Sequence, residues 1–156
     1  LGHTDLLFQL KDRGYDVLHV TSKFGAYVND QKVNREKFFE TLNAWGKEDD
    51  RKFVIFHYSI LSEGINVAGL THTILLRNLN VVEMAQTIGR VIRLDKRDAA
   101  GIASGDISPC SWSCYHKPTG YVSVPVHSNH GAAVIKRLQR VTDEIFVKGV
   151  PATALV

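Results

Sequence analysis

Up to Leu94 the apolar positions of this chain alternate between two rhythms, one helical and one extended. Leu6, Leu7 and Leu10 fall at helical spacing and predict a helix from Thr4 to Arg13, stopped by Gly14. The run from Asp16 to Thr21 is β-rich. Asn34 then caps a helix reaching Gly46, with Phe38, Phe39, Leu42 and Trp45 on its inner side. A charged turn from Lys47 to Lys52 precedes a second apolar strand, Phe53 to Tyr58, and Thr73 to Arg77 reads as a third. Asn80 caps the next helix, with Glu83 placed for a capping box. Strands that are apolar throughout and separated by helices imply an α/β fold with a parallel sheet covered on both faces. Ligands of such sheets sit beyond the carboxyl ends of the strands. The loop after Tyr58 and the helix after Asn80 both emerge there.

Beyond Leu94 the rhythm loosens. Asp95 to Pro109 is rich in Gly, Ala, Ser and Asp and reads as a long loop. Trp112 to His116 and Tyr121 to Val126 flank the turn sequence Lys117-Pro118-Thr119-Gly120, which predicts a hairpin with Pro125 at an edge. A last helix is expected from Gly131 to Lys148, burying Val134, Ile135, Leu138, Val141, Ile145 and Phe146. No internal repeat or low-complexity tract is visible.

Composition narrows the class without naming a function. The 156 residues are 44% hydrophobic and 22% charged, as in an ordinary globular protein with a substantial core. The net charge of +3 permits a nucleic-acid partner without demanding one. No apolar run approaches the roughly 20 residues that span a bilayer, and there is no secretory signal. A cytoplasmic setting is therefore the expectation. The chain starts at Leu1, directly before an expected helix, which suggests a processed or excised piece with an element missing upstream.

Charge becomes informative at Gln86-Thr87-Ile88-Gly89-Arg90-Val91-Ile92-Arg93. On a continuous helix, offsets of four and seven residues bring Gln86, Arg90 and Arg93 into one stripe. Two permanently charged guanidinium forks on a fixed surface suit a polyphosphate. A second constellation, Ser59-Ile60-Leu61-Ser62-Glu63-Gly64-Ile65-Asn66, follows the second strand. Its glycine would let backbone N–H groups approach a phosphate. Asn66 could bond a sugar hydroxyl, and Ser59 or Ser62 a nucleic-acid phosphate.

Taken together, a strand, an S-x-x-x-x-G-x-N loop, a strand and Q-x-x-G-R-x-x-R on a helix resemble the C-terminal RecA-like domain of superfamily two helicases and translocases. The likeness covers roughly Leu1 to Leu94 and is nearest to phage-type branch-migrating helicases, which would place the protein in a host cytoplasm. It implies a three-layer RecA-like sandwich with a mainly parallel sheet, plus a C-terminal hairpin and helix. Residues 1–156 would form a single lobe, with a motif-bearing core at 1–94. The resemblance assigns Arg90 and Arg93 as arginine fingers toward the γ-phosphate of ATP. It assigns Gln86, Gly64 and Asn66 to nucleotide contacts, and Ser59 and Ser62 to the backbone of DNA, with RNA possible. Tyr58 stands where many relatives have threonine, and Asn66 where aspartate is commoner.

Equally telling, the sequence contains no G-x-x-x-x-G-K-S/T and no D-E-x-D/H segment. The resemblance therefore implies that ATP and Mg2+ are held mainly by an N-terminal lobe outside this chain, and that the piece alone is inactive. Two competing chemistries deserve weight. Cys110, Cys114 and His116, with His127 and His130 downstream, offer zinc ligands at a spacing unlike that of a standard finger. Lys136, Arg137, Arg140 and Lys148 could hold phosphates, and Trp112, Tyr115 and Tyr121 could stack on bases. Their bland readings, reduced thiols, a solvated helix face and hairpin packing, are preferred. The competing function class is a non-catalytic binding module on the same fold.

Overall fold

Asp16-Val-Leu-His-Val-Thr21 is β-branched and aliphatic enough to form the central strand of a sheet, and in a computed structural model of the chain it does so. The structure describes residues 4–58, 67, 69–77, 79–125 and 131–145, apart from the side chains of residues 4, 137, 144 and 145. The chain divides into two compact units, Leu1–Gly69 and Leu70–Val156, each with its own core.

The first unit runs α1 (Thr4–Asp12), β1 (Asp16–Thr21), β2 (Gly25–Val28), β3 (Gln31–Val33), α2 (Arg35–Trp45) and β4 (Phe53–His57). Its four strands lie in the order β3-β2-β1-β4. Only β1 and β4 are parallel, with Leu18 opposite Ile55, while β1–β2 and β2–β3 are antiparallel. The expected mainly parallel, RecA-like three-layer sandwich is therefore wrong; this is a mixed sheet. The cause lies in residues 25–33, where no element was expected. Asn29 adopts φ 52°, a left-handed conformation that asparagine tolerates, and turns the chain back into a hairpin. Its Oδ1 accepts the Val17 N–H at 2.8 Å and its Nδ2 donates to Asp16 Oδ1 at 3.1 Å. The hairpin is thereby fastened along one edge of β1, the place a further parallel strand would need.

The core of this unit gathers Val17, Leu18 and Val20 of β1, Ala26 of β2, and Phe38 and Leu42 of α2. Asn34 caps α2 as expected, its Oδ1 accepting the Lys37 N–H at 2.7 Å. Trp45 lies against Phe53, ring centroids 5.7 Å apart, with the Arg51 guanidinium 4.8 Å from the Trp45 ring.

The second unit contains β5 (His72–Ile74), α3 (Val81–Val91), α4 (Lys96–Ser104), a 3-10 turn (Trp112–Cys114), β6 (Tyr121–Ser123) and α5 (Gly131–Ile145). β5 and β6 form a separate two-stranded parallel sheet, Thr73 opposite Val122. Leu75, Leu79, Met84, Ile88 and Val141 make the core, with Val122, Val124 and Leu138 packed against them. Ile135, expected on the buried side of α5, is exposed.

Two further expectations fail here. The long loop contains α4, whose signals were present but weakly apolar. Asp95 caps it by accepting the Arg97 N–H at 2.9 Å, and Gly105 ends it at φ 84°. The hairpin does not form: Trp112–Cys114 of its expected first strand is a 3-10 turn, and side chains take backbone donors on either side of it. The Cys110 N–H goes to the Tyr115 hydroxyl, and those of His116 and Lys117 go to the Asp98 carboxylate. β6 pairs with β5 instead.

Candidate anion-binding site

The site is built on α3, starting from its cap. Asn80 Oδ1 accepts the Glu83 N–H at 2.8 Å, and Glu83 Oε2 accepts the Asn80 N–H at 3.1 Å, completing the capping box. Arg77 donates to the other Glu83 oxygen at 3.0 Å. These bonds, that from Arg77 foremost, hold the Glu83 carboxyl below its ordinary range. Met84, Ile88 and Val91 are buried and fix the rotation of the helix. That rotation leaves Gln86 exposed and Arg90 half-buried, four residues apart and so on one face.

Arg93 reaches the site differently from the expected continuous stripe. The helix ends at Val91, Ile92 is its C-cap, and exposed Arg93 stands one residue beyond. The two guanidiniums remain close enough to sense each other. Burial is the larger influence lowering the Arg90 pKa, and the charge of Arg93 adds to it. Arginine stays protonated at neutral pH all the same.

Gly89 lies beside Arg90, and a methyl group built on it would meet nothing within 4 Å. Glycine inside a helix costs about 0.5–1 kcal/mol relative to alanine. Packing does not recover that cost here, and φ is not in the left-handed region. Open space against backbone, next in sequence to an arginine, would admit a phosphate oxygen.

The C-terminal end of α3 is covered by residues that sequence reasoning did not single out for this role. Lys117 Nζ donates to Val91 O at 2.8 Å and to Leu70 O at 3.2 Å. Burial lowers the Lys117 pKa, opposed by the carboxylates of Asp95 and Asp98. Asp98 is fully buried, the one buried charged residue among the described residues. Its signal was faint: an acid four residues before Ile102 on a weak helix, paired with a Lys-Pro turn distant in sequence.

The other expected residues are not brought to this place by the structure. Ser59, Ser62, Gly64 and Asn66 lie outside the described residues, and Tyr58 before them is exposed. Cys110 and Cys114 are exposed free thiols. Among the described residues no group of three or more His, Cys, Asp or Glu side chains could hold a metal ion. His127 and His130 lie outside them. Trp112 and Tyr121 are exposed and Tyr115 is half-buried. No described helix is long and apolar enough to cross a membrane. No protein-family model, curated protein or solved structure matches the chain.

Proposed function

We propose that this chain is the part of an ATP-dependent nucleic-acid helicase or translocase that presents Arg90 and Arg93 to a nucleotide held by a separate N-terminal lobe. The carrying observation is the placement of half-buried Arg90 in the last turn of α3 and of exposed Arg93 just beyond its C-cap, with Gly89 open beside Arg90 in sequence. The Q-x-x-G-R-x-x-R sequence supports it, since amide, glycine and arginines recur together at the spacing of an arginine-finger helix. The proposal rests on these residues and not on the sheet, whose mixed topology differs from the expected sandwich.

In this reading Arg90 and Arg93 act electrostatically. Each guanidinium donates charge-assisted bonds to oxygens on which negative charge accumulates as the γ-phosphoryl is transferred. Gln86, one turn before Arg90, donates an amide to the same anion or orients Arg90. The P-loop and the magnesium ligands come from the other lobe, and the work of hydrolysis is transmitted to DNA or RNA.

The test is ATP turnover by the parent protein, with and without DNA. Arg90→Ala or Arg93→Ala should lower stimulated turnover by about 10³–10⁵-fold, the range over which arginine fingers act. Unchanged stimulated turnover in Arg93→Ala would point instead to a non-catalytic nucleic-acid-binding module.

A further inference from the structure

Segment 115–120 is anchored to α4 by one kind of contact and touches the end of α3 through two others. The first is a buried charge. Asp98 is inaccessible to solvent, and each of its carboxylate oxygens accepts a backbone bond: Oδ1 from His116 N–H at 2.7 Å, Oδ2 from Lys117 N–H at 3.0 Å. Burying a carboxylate is costly unless its oxygens are satisfied, and satisfied bonds of this kind are directional. They fix the direction in which the Lys117 side chain leaves the loop.

The second contact is the ammonium itself. Lys117 Nζ donates to the carbonyl of Val91, the last residue of α3, which lies in sequence between Arg90 and Arg93. A cation at that end also matches the negative pole of the helix dipole. The third contact is steric. A Cβ at Gly120 would stand 2.6 Å from Val91 O and 2.8 Å from Val91 Cγ1. The loop backbone therefore rests directly on the last turn of the helix, and only glycine permits that approach.

A loop could be closed over a helix by apolar contact alone. Here a directed ammonium and a glycine meet at one carbonyl, and a buried acid holds the loop that carries them. We infer that Lys117 is a positioning residue for an anion of triphosphate size: by holding Val91 O it sets where α3 ends, and so the separation of the Arg90 and Arg93 guanidiniums. The inference rests on the anion-site reading of those two arginines. Asp98 and Gly120 serve it, one by aiming Lys117 and the other by admitting the loop.

The experiment measures calorimetric binding of inorganic tripolyphosphate to the full chain at low salt, with circular dichroism to verify folding. Lys117→Met should weaken binding about tenfold, the low end of what removing an orienting partner costs a metal site. Lys117→Arg, which keeps a cationic donor, should restore most of it. Gly120→Ala leaves every charge in place and should weaken binding similarly, which separates geometry from lost charge. Where Lys117→Met does not fold, Gly120→Ala carries the decision. If both variants bind as tightly as wild type while Arg90→Ala binds weakly, the positioning role is overturned and the anion site stands. If Arg90→Ala and Arg93→Ala bind as wild type does, the site reading itself fails and takes the positioning role with it.

Discussion

Gly89 and Glu83 sit on the same helix and make opposite demands on it. Glu83 strengthens α3, closing the capping box and accepting from Arg77. Gly89 weakens it, with empty space where a methyl group would sit. Gly89→Ala should therefore raise stability by about 0.5–1 kcal/mol, read from urea unfolding. It should at the same time reduce tripolyphosphate binding, because the methyl group occupies the space beside Arg90. A variant that gains stability and keeps full affinity would show that the opening is not used. Glu83 makes a pH prediction. Its folded-state pKa lies below the ordinary carboxyl value, so its contribution is present above the unfolded pKa and is lost as pH falls through the folded one. Glu83→Gln should accordingly be less stable than wild type at neutral pH, and the gap should close in acid below about pH 4. Unfolding curves at neutral and acid pH are the check.

Elements whose signals were local are the ones that sequence reading places well. Asn34 and Asn80 cap α2 and α3 where expected, because an N-cap needs only a short polar side chain and the amides three residues on. Phe38 and Leu42 of α2 are buried, as their spacing requires. Phe38→Ala should cost about 3–5 kcal/mol, as truncation of a buried aromatic does, seen as an earlier denaturant midpoint. A cost below 1 kcal/mol would mean that α2 does not close this core. α4 was missed for the complementary reason. Its cap Asp95 and terminal Gly105 are ordinary helix signals, but its apolar stripe is nearly absent, and its buried position is an acid, Asp98. Periodicity finds helices that bury hydrocarbon, whereas α4 buries a carboxylate that binds a loop. The expected hairpin failed because Trp112–Cys114 coils into a 3-10 turn and Asp98 takes the His116 and Lys117 donors.

For the whole molecule, the proposed arginines and the missing phosphate-binding loop lead to one expectation. The purified chain should turn over ATP no faster than background, since a guanidinium pair supplies neither a phosphate cradle nor a magnesium site. Substantial ATPase from this chain, abolished by Arg90→Ala, would sink the two-lobe proposal. Sheet topology belongs to this scale as well. The α/β character was legible from alternating helical and extended runs, but strand direction was not. Continuous apolar strands fit a parallel sheet and also fit a mixed one whose strands are covered by helices. What chose between them is the shortness of the β1–β2 and β2–β3 connections, which allow no parallel crossover, with Asn29 fastening the hairpin to the start of β1.

The sequence by itself determined where α2 and α3 begin and that Phe38 and Leu42 of α2 face a core. These follow from neighbours within one or two turns, where backbone hydrogen bonding and side-chain spacing act over a few residues. Tertiary structure alone decided which strands pair and in which direction, that α3 stops before Arg93, and that Lys117 and Gly120 cover its end. Those outcomes depend on groups 12 to 47 residues apart, such as Val17 with Asn29 and Lys117 with Leu70, being brought together. Their bonds exist only once the chain has closed the loops between them, so no local pattern announces them.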